Sequence, residues 1–145
     1  MQTNSDNTDE YDYRIAVIGV GGIGSTLVSE LVRALHRGGL LQSTKDITIW
    51  IYDSDRVSVD NLAHQRFAMG DVGEYKVDAL ARSLSEFTGP RLSIVPCAWD
   101  VRSADDMVAA DLTVVGVDSH LARRVVHSCG GLWLDLRCGD DGYMA

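Results

Sequence analysis

The chain has 145 residues, a formal net charge of −8, 46% hydrophobic and 23% charged residues, which reads as one globular domain able to bury about two-thirds of its unfolded surface. That acidic balance excludes a bulk nucleic-acid binder, which needs a basic face, and no apolar run approaches the roughly 20 residues of a membrane span. No basic-then-apolar leader opens the chain, so a cytoplasmic protein is expected.

Residues 1–12 are polar and acidic, with Asp6, Asp9, Glu10 and Asp12, and are expected to form a flexible tail ahead of a domain spanning 13–145. Ile15-Ala16-Val17-Ile18 is the apolar run of a buried parallel strand. Gly19-Val20-Gly21-Gly22-Ile23-Gly24 follows it, and a helix then repeats Ile23, Leu27, Val28, Leu31, Val32 and Leu35 at helical spacing. In this strand–turn–helix order Gly19 permits the tight turn, Gly21 brings the backbone close to a phosphate, and Gly24 lets the helix pack on the strand. The helix N-terminus directs unpaired N–H groups and the positive dipole end at that turn.

Arg37-Gly38-Gly39 ends the helix and residues 42–46 read as a loop. Residues 47–52 form a second strand, rich in β-branched and aromatic residues, that ends on Asp53. A strand-end acid there is placed to accept hydrogen bonds from ribose hydroxyls. Residues 54–73 are irregular, long enough for a functional loop. A helix is expected over 74–87 and a third strand over 92–97, with Pro96 marking its end or an edge position. A short helix is expected over 103–110, a fourth strand over 112–117 delivering Asp118, a helix over 121–129 and a fifth strand over 132–136. Residues 138–142 read as a turn into another strand. Alternating strands and helices mean βαβ units: an α/β, doubly wound, mostly parallel, Rossmann-like sheet. Gly19–Gly24, Asp53 and Asp118 all fall beyond strand C-termini, where such sheets bind ligands.

The segment Asp53-Ser54-Asp55-Arg56-Val57-Ser58-Val59-Asp60-Asn61-Leu62-Ala63-His64-Gln65 resembles the DxDxVxxxNLxRQ pattern of the ThiF/MoeB/ubiquitin-activating family, matching at Asp53, Asp55, Val57, Asn61, Leu62 and Gln65. Val72-Gly73-Glu74-Tyr75-Lys76-Val77 resembles that family's VGxxKV step. Val115-Gly116-Val117-Asp118-Ser119 resembles the segment that carries its magnesium-side aspartate. Together with the glycine turn, the resemblance covers about residues 14–140.

The resemblance implies ATP-dependent adenylation of the C-terminal carboxylate of a small ubiquitin-like or sulfur-carrier protein, giving an acyl-adenylate and pyrophosphate. It implies ATP and Mg²⁺ as cofactors, ribose on Asp53, phosphates over Gly21, Gly22 and Gly24, and Lys76 as the phosphate cation. Asp55, Asn61 and Gln65 would join the nucleotide site, and Asp118 would hold the metal. A homodimer or heterodimer is expected, and neither a nucleic-acid nor a membrane partner.

Three features depart from the family pattern. His64 stands where the pattern has its catalytic arginine, so either Arg66 two residues on takes that role or activity is reduced. The residues before Arg14 contain no basic side chain to match the family's N-terminal arginine. The family's transfer cysteine and paired CxxC ligands belong to a C-terminal part that the sequence is expected to lack, and Cys97, Cys129 and Cys138 read as incidental thiols. Two other readings stay open: a catalytically degenerate partner or scaffold subunit, and an NAD-dependent oxidoreductase domain using the same glycines and Asp53.

Overall fold

In a computed structural model of the chain, residues 12–39, 41, 45–139 and 142–144 are described. Nearly all of the expected acidic tail, most of the 42–46 loop and the centre of the 138–142 turn lie outside them. Five parallel strands, β1 (Tyr13–Ile18), β2 (Ile47–Tyr52), β3 (Leu92–Cys97), β4 (Leu112–Val115) and β5 (Leu132–Asp135), line up in the order β3-β2-β1-β4-β5. The helices are α1 (Gly22–Arg37), α2 (Lys76–Ser83) and α3 (His120–Ser128). A short antiparallel hairpin, β6 (Arg137–Gly139) and β7 (Gly142–Met144), follows β5. This is the doubly wound parallel architecture that strand–helix alternation calls for.

Period-two alternation in β1 sorts the core between the two faces. Ile15 and Val17 pack with Val28 and Val32 of α1 and with Val77 and Leu80 of α2, whereas Ala16 and Ile18 pack with Ala122 and Val126 of α3. Burial of each such aliphatic side chain is worth about 1.5–3 kcal/mol. Pro96 sits on β3, whose one strand partner among the described residues is β2; Cys97 turns its carbonyl to β2, so Pro96 turns its missing N–H to the outer side.

Three expectations change. The helix expected over 74–87 is shorter and is followed by a 3-10 turn at Ser85–Phe87. Its start is delayed because the Val57 N–H donates to the Glu74 carbonyl and Arg56 bridges to Tyr75, holding 74–75 extended. The helix expected over 103–110 is only a 3-10 turn at Ala104–Asp106. The Asp106 carbonyl, which a continuing helix would use, accepts instead from Trp99 Nε1, and the Val108 N–H donates to the Tyr52 hydroxyl. Strand β4 stops at Val115, where the Gly116 N–H donates to Ile18 before the chain leaves the sheet, so Asp118 stands three residues beyond the ladder. No helix among the described residues is long and apolar enough to cross a membrane.

Candidate functional site

β1, β2 and β4 end side by side, and the loops that leave them enclose a cavity of about 800 Å³. The glycine turn forms one wall. Gly19 has φ +91°, and a Cβ there would run into the Val117 side chain and lie 3.1 Å from the Gly116 carbonyl oxygen. A Cβ on Gly24 would overlap the Gly19 carbonyl oxygen, so the close approach of α1 to β1 is a backbone contact. Gly19, Gly21 and Gly22 line the cavity; Gly24 lies behind it as packing.

Asp53 fastens this wall to β2. Its Oδ2 accepts from the Val20 N–H at 2.9 Å and its Oδ1 from the Asp55 N–H at 2.9 Å. Burial pushes its carboxyl above the ordinary aspartate value, against the pull of those two N–H groups and of the nearby Lys76 ammonium. Each oxygen keeps a lone pair for a further donor. Lys76 opens α2, is only 6% exposed, and places Nζ 3.0 Å from Asp55 Oδ2 while its own N–H donates to the Asp55 carbonyl.

Asp118 reaches the cavity from the β4 loop beside Gly116, Val117 and Ser119. Four aspartates line the space, Asp53, Asp55, Asp100 and Asp118, against Lys76, Arg102 and His64. Asp55 pairs with Lys76 and Asp100 with Arg102, and Asp53 is held by backbone N–H groups. Asp118 makes no ion pair among the described residues. No cluster of three or more His, Cys, Asp or Glu side chains suited to a metal occurs among the described residues. A hard divalent ion would therefore lean on one or two carboxylates plus ligand oxygens and water, the usual habit of Mg²⁺.

Gln65 is half-buried in the cavity lining, and its buried Oε1 has no hydrogen-bond partner among the described residues. Turning the amide over would present its NH₂ group in that place. In either orientation a buried polar atom lacks a partner that a ligand would supply. His64 is exposed and also lines the cavity.

Two expected residues lie elsewhere. Asn61 accepts from the Ser58 N–H at 3.0 Å as part of a capping box and does not line the cavity. Arg66, expected to take over from the missing arginine, places Nη2 3.2 Å from Glu30 of α1, outside the cavity lining. This placement has a local cause: the Arg66 N–H is held by the Ser25 hydroxyl, which sets the side chain against α1.

Sequence reasoning missed Thr26, Trp99, Asp100, Arg102 and Leu121, all of which line the cavity. Trp99 is half exposed, meets Tyr52 edge-on at 6.0 Å and is steadied by its bond to the Asp106 carbonyl. For Trp99, Asp100 and Arg102 the available signal was positional: the loop after Cys97 lies beyond the C-terminal end of β3, beside β2.

A model of the ThiF family matches residues 8–130. The chain is 27% identical over 150 residues to ubiquitin-like modifier-activating enzyme 5 of Oryza sativa subsp. japonica, covering 90% of this chain and 33% of that protein. It is 31% identical over 130 residues to the NEDD8-activating enzyme E1 catalytic subunit of Arabidopsis thaliana, covering 86% of this chain and 26% of that protein. The chain thus spans about a third or less of the curated relatives it matches. Among solved structures, E. coli MccB with ATP superposes with a TM-score of 0.65 at 21% identity, over 86% of this chain and 36% of that one. PaaA gives 0.68 at 19% identity, over 88% and 38%. Both similarities are in the fold.

Proposed function

This chain belongs to the ThiF family, and from that premise we propose that it binds ATP and forms the nucleotide-binding domain, residues 13–145, of an enzyme that adenylates the C-terminal carboxylate of a small ubiquitin-like or sulfur-carrier protein. One observation carries the reading: the glycine turn, Asp53, Lys76 and Asp118 line the same cavity. The relatives named as activating enzymes for ubiquitin-like modifiers and for NEDD8 support the class of substrate.

In this reading the ribose hydroxyls donate to the lone pairs left on Asp53, and Trp99 with Val101 gives the base an apolar surface. The phosphates lie over Gly21 and Gly22 at the start of α1, whose first turn holds no acidic side chain to repel them. A carboxylate oxygen of the carrier attacks the α-phosphorus. The bond from that phosphorus to the bridging oxygen breaks, and its electron pair leaves with pyrophosphate. Lys76 faces the charge that builds on the phosphates, with the Gln65 amide turned to donate. Asp118, the cavity acid with neither an ion pair nor a backbone N–H to hold it among the described residues, would bind Mg²⁺, which neutralises phosphate charge when bound. A homodimer or heterodimer is the assembly we propose. Among the described residues β5 is the outer strand of the sheet, and with Leu132 65% and Trp133 41% exposed it is the surface we assign to that contact.

Pyrophosphate exchange into ATP, dependent on a candidate carrier protein, tests the activity. His64→Arg restores a guanidinium at the cavity and is expected to raise exchange about tenfold, because a planar fork grips phosphate better than an imidazole. No exchange in either form, with ATP binding intact, would favour the second reading: a degenerate partner subunit that keeps the nucleotide fold. His64 and the seating of Arg66 on Glu30 are the observations on its side. An oxidoreductase domain would use the glycines and Asp53 but leaves Lys76 and Asp118 in the same cavity without a task.

A further inference from the structure

The loop that carries Asp118 is anchored by a side chain that does not line the cavity. Arg123 of α3 is 8% exposed and donates through Nη2 to the carbonyl of Val117, the residue before Asp118. Its Nη1 lies against the carboxylate of Asp135, the last residue of β5. Asp135, its side chain 9% exposed, is held by Arg137 at 2.7 Å and by His127 Nε2 at 3.1 Å. In the sheet register Asp135 stands opposite Val115, the last residue of β4. The guanidinium therefore spans from the edge strand to the first residues beyond β4. Val117 in turn packs where a Gly19 side chain would be, so the same carbonyl anchor also backs the glycine turn.

The arrangement is specific in its chemistry. A planar guanidinium donates a hydrogen bond to the Val117 carbonyl while its charge faces the Asp135 carboxylate, a combination that a lysine ammonium on a flexible stem does not reproduce. Neither Arg123 nor Asp135 lines the cavity. We propose that Arg123, fixed by Asp135, is a positioning residue that sets Asp118 in the cavity and so determines how well the site takes up a divalent cation with its nucleotide. The proposal rests on the reading of Asp118 given above.

The test is isothermal titration of the chain with ATP in the presence of Mg²⁺ and in the presence of EDTA. Four proteins are compared: wild type, Asp118→Ala, Arg123→Lys and the Asp118→Ala/Arg123→Lys pair. The gain in ATP affinity on adding Mg²⁺ is expected to fall about tenfold in Arg123→Lys, the scale of effect seen when partners of metal ligands are lost. In the Asp118→Ala background the second substitution is expected to change that gain by less than about twofold, since it acts through a group already removed. Affinity for AMP with EDTA should stay within about twofold in Arg123→Lys, and amide exchange at Asp118 and Ser119 should quicken. If Arg123→Lys misfolds, Asp135→Asn replaces it, keeping shape and Arg123 while removing the charge that fixes it. A wild-type chain whose ATP affinity ignores Mg²⁺, or an Asp118→Ala change without effect, overturns the reading of Asp118 and this proposal with it. A Mg²⁺ gain that needs Asp118 but survives Arg123→Lys overturns the positioning role alone, as does an equal loss from Arg123→Lys in both backgrounds.

Discussion

Gly24→Ala is expected to destabilise the protein by about 3 kcal/mol and to lower Tm by about 10 °C, although it adds a single methyl group to a helix. The atom it would strike is the Gly19 carbonyl oxygen, which is backbone and has no rotamer to retreat into. Gly19 is fixed in turn, because its φ of +91° and the Val117 side chain leave the turn no room to move outward. Relief has to come from sliding α1 off β1, which loosens Val28 and Val32 from Ile15 and Val17 in the core. Helix propensity alone would favour alanine by about 0.8–1 kcal/mol, so steric exclusion is the larger effect and sets the sign. Gly70→Ala is the control: nothing lies within 4 Å of its added carbon, and a change within about 0.5 kcal/mol is expected. Thermal denaturation of the two variants measures both. Equal stability for Gly24→Ala and the wild type would show that the turn and the helix do not meet backbone to backbone.

Lys76→Met is expected to do the reverse, sparing stability while weakening ATP·Mg²⁺ binding about 100-fold. The side chain is buried and Nζ pairs with Asp55, whose side chain is 66% exposed and stays hydrated without it. Removing a buried ammonium and keeping an apolar stem of similar length is close to neutral for folding, within about 1 kcal/mol. Binding differs because an anionic ligand in this cavity faces four aspartates and few cations. Loss of a charge-assisted contact to phosphate is worth about 1.5–3 kcal/mol. Unaltered ATP affinity in Lys76→Met would mean that the lysine serves only its pair with Asp55. Loss of the fold would mean that the pair is structural.

Much of the fold was legible because two periodicities are plain in the residues. Residues 47–52 form β2 as expected, and alternation in Ile15–Ile18 assigns each side chain to a sheet face. The task of Gly24 was also readable, since a glycine in the first turn of a helix that follows a strand marks where the two backbones touch. Residues 103–110 misled because local pattern cannot see Trp99 and Tyr52, which take the carbonyl and N–H that a helix would have used. The site was legible in part for a similar reason. Residues at strand ends, Asp53 and the turn, are placed by topology and line the cavity. Asn61 and Arg66 sit in the irregular 54–73 segment, where local bonds to Ser58, Ser25 and Glu30 decide direction. Trp99 and Arg102 carried no motif at all; only the strand order brings the loop after β3 to the cavity.

Isothermal titration of the unmodified chain with ATP·Mg²⁺ and, separately, with NAD bears most directly on the nucleotide assignment. Saturable binding of ATP·Mg²⁺, weakened when EDTA removes the metal, with no binding of NAD, is the predicted result. Saturable binding of NAD by a folded chain that ignores ATP·Mg²⁺ would contradict it.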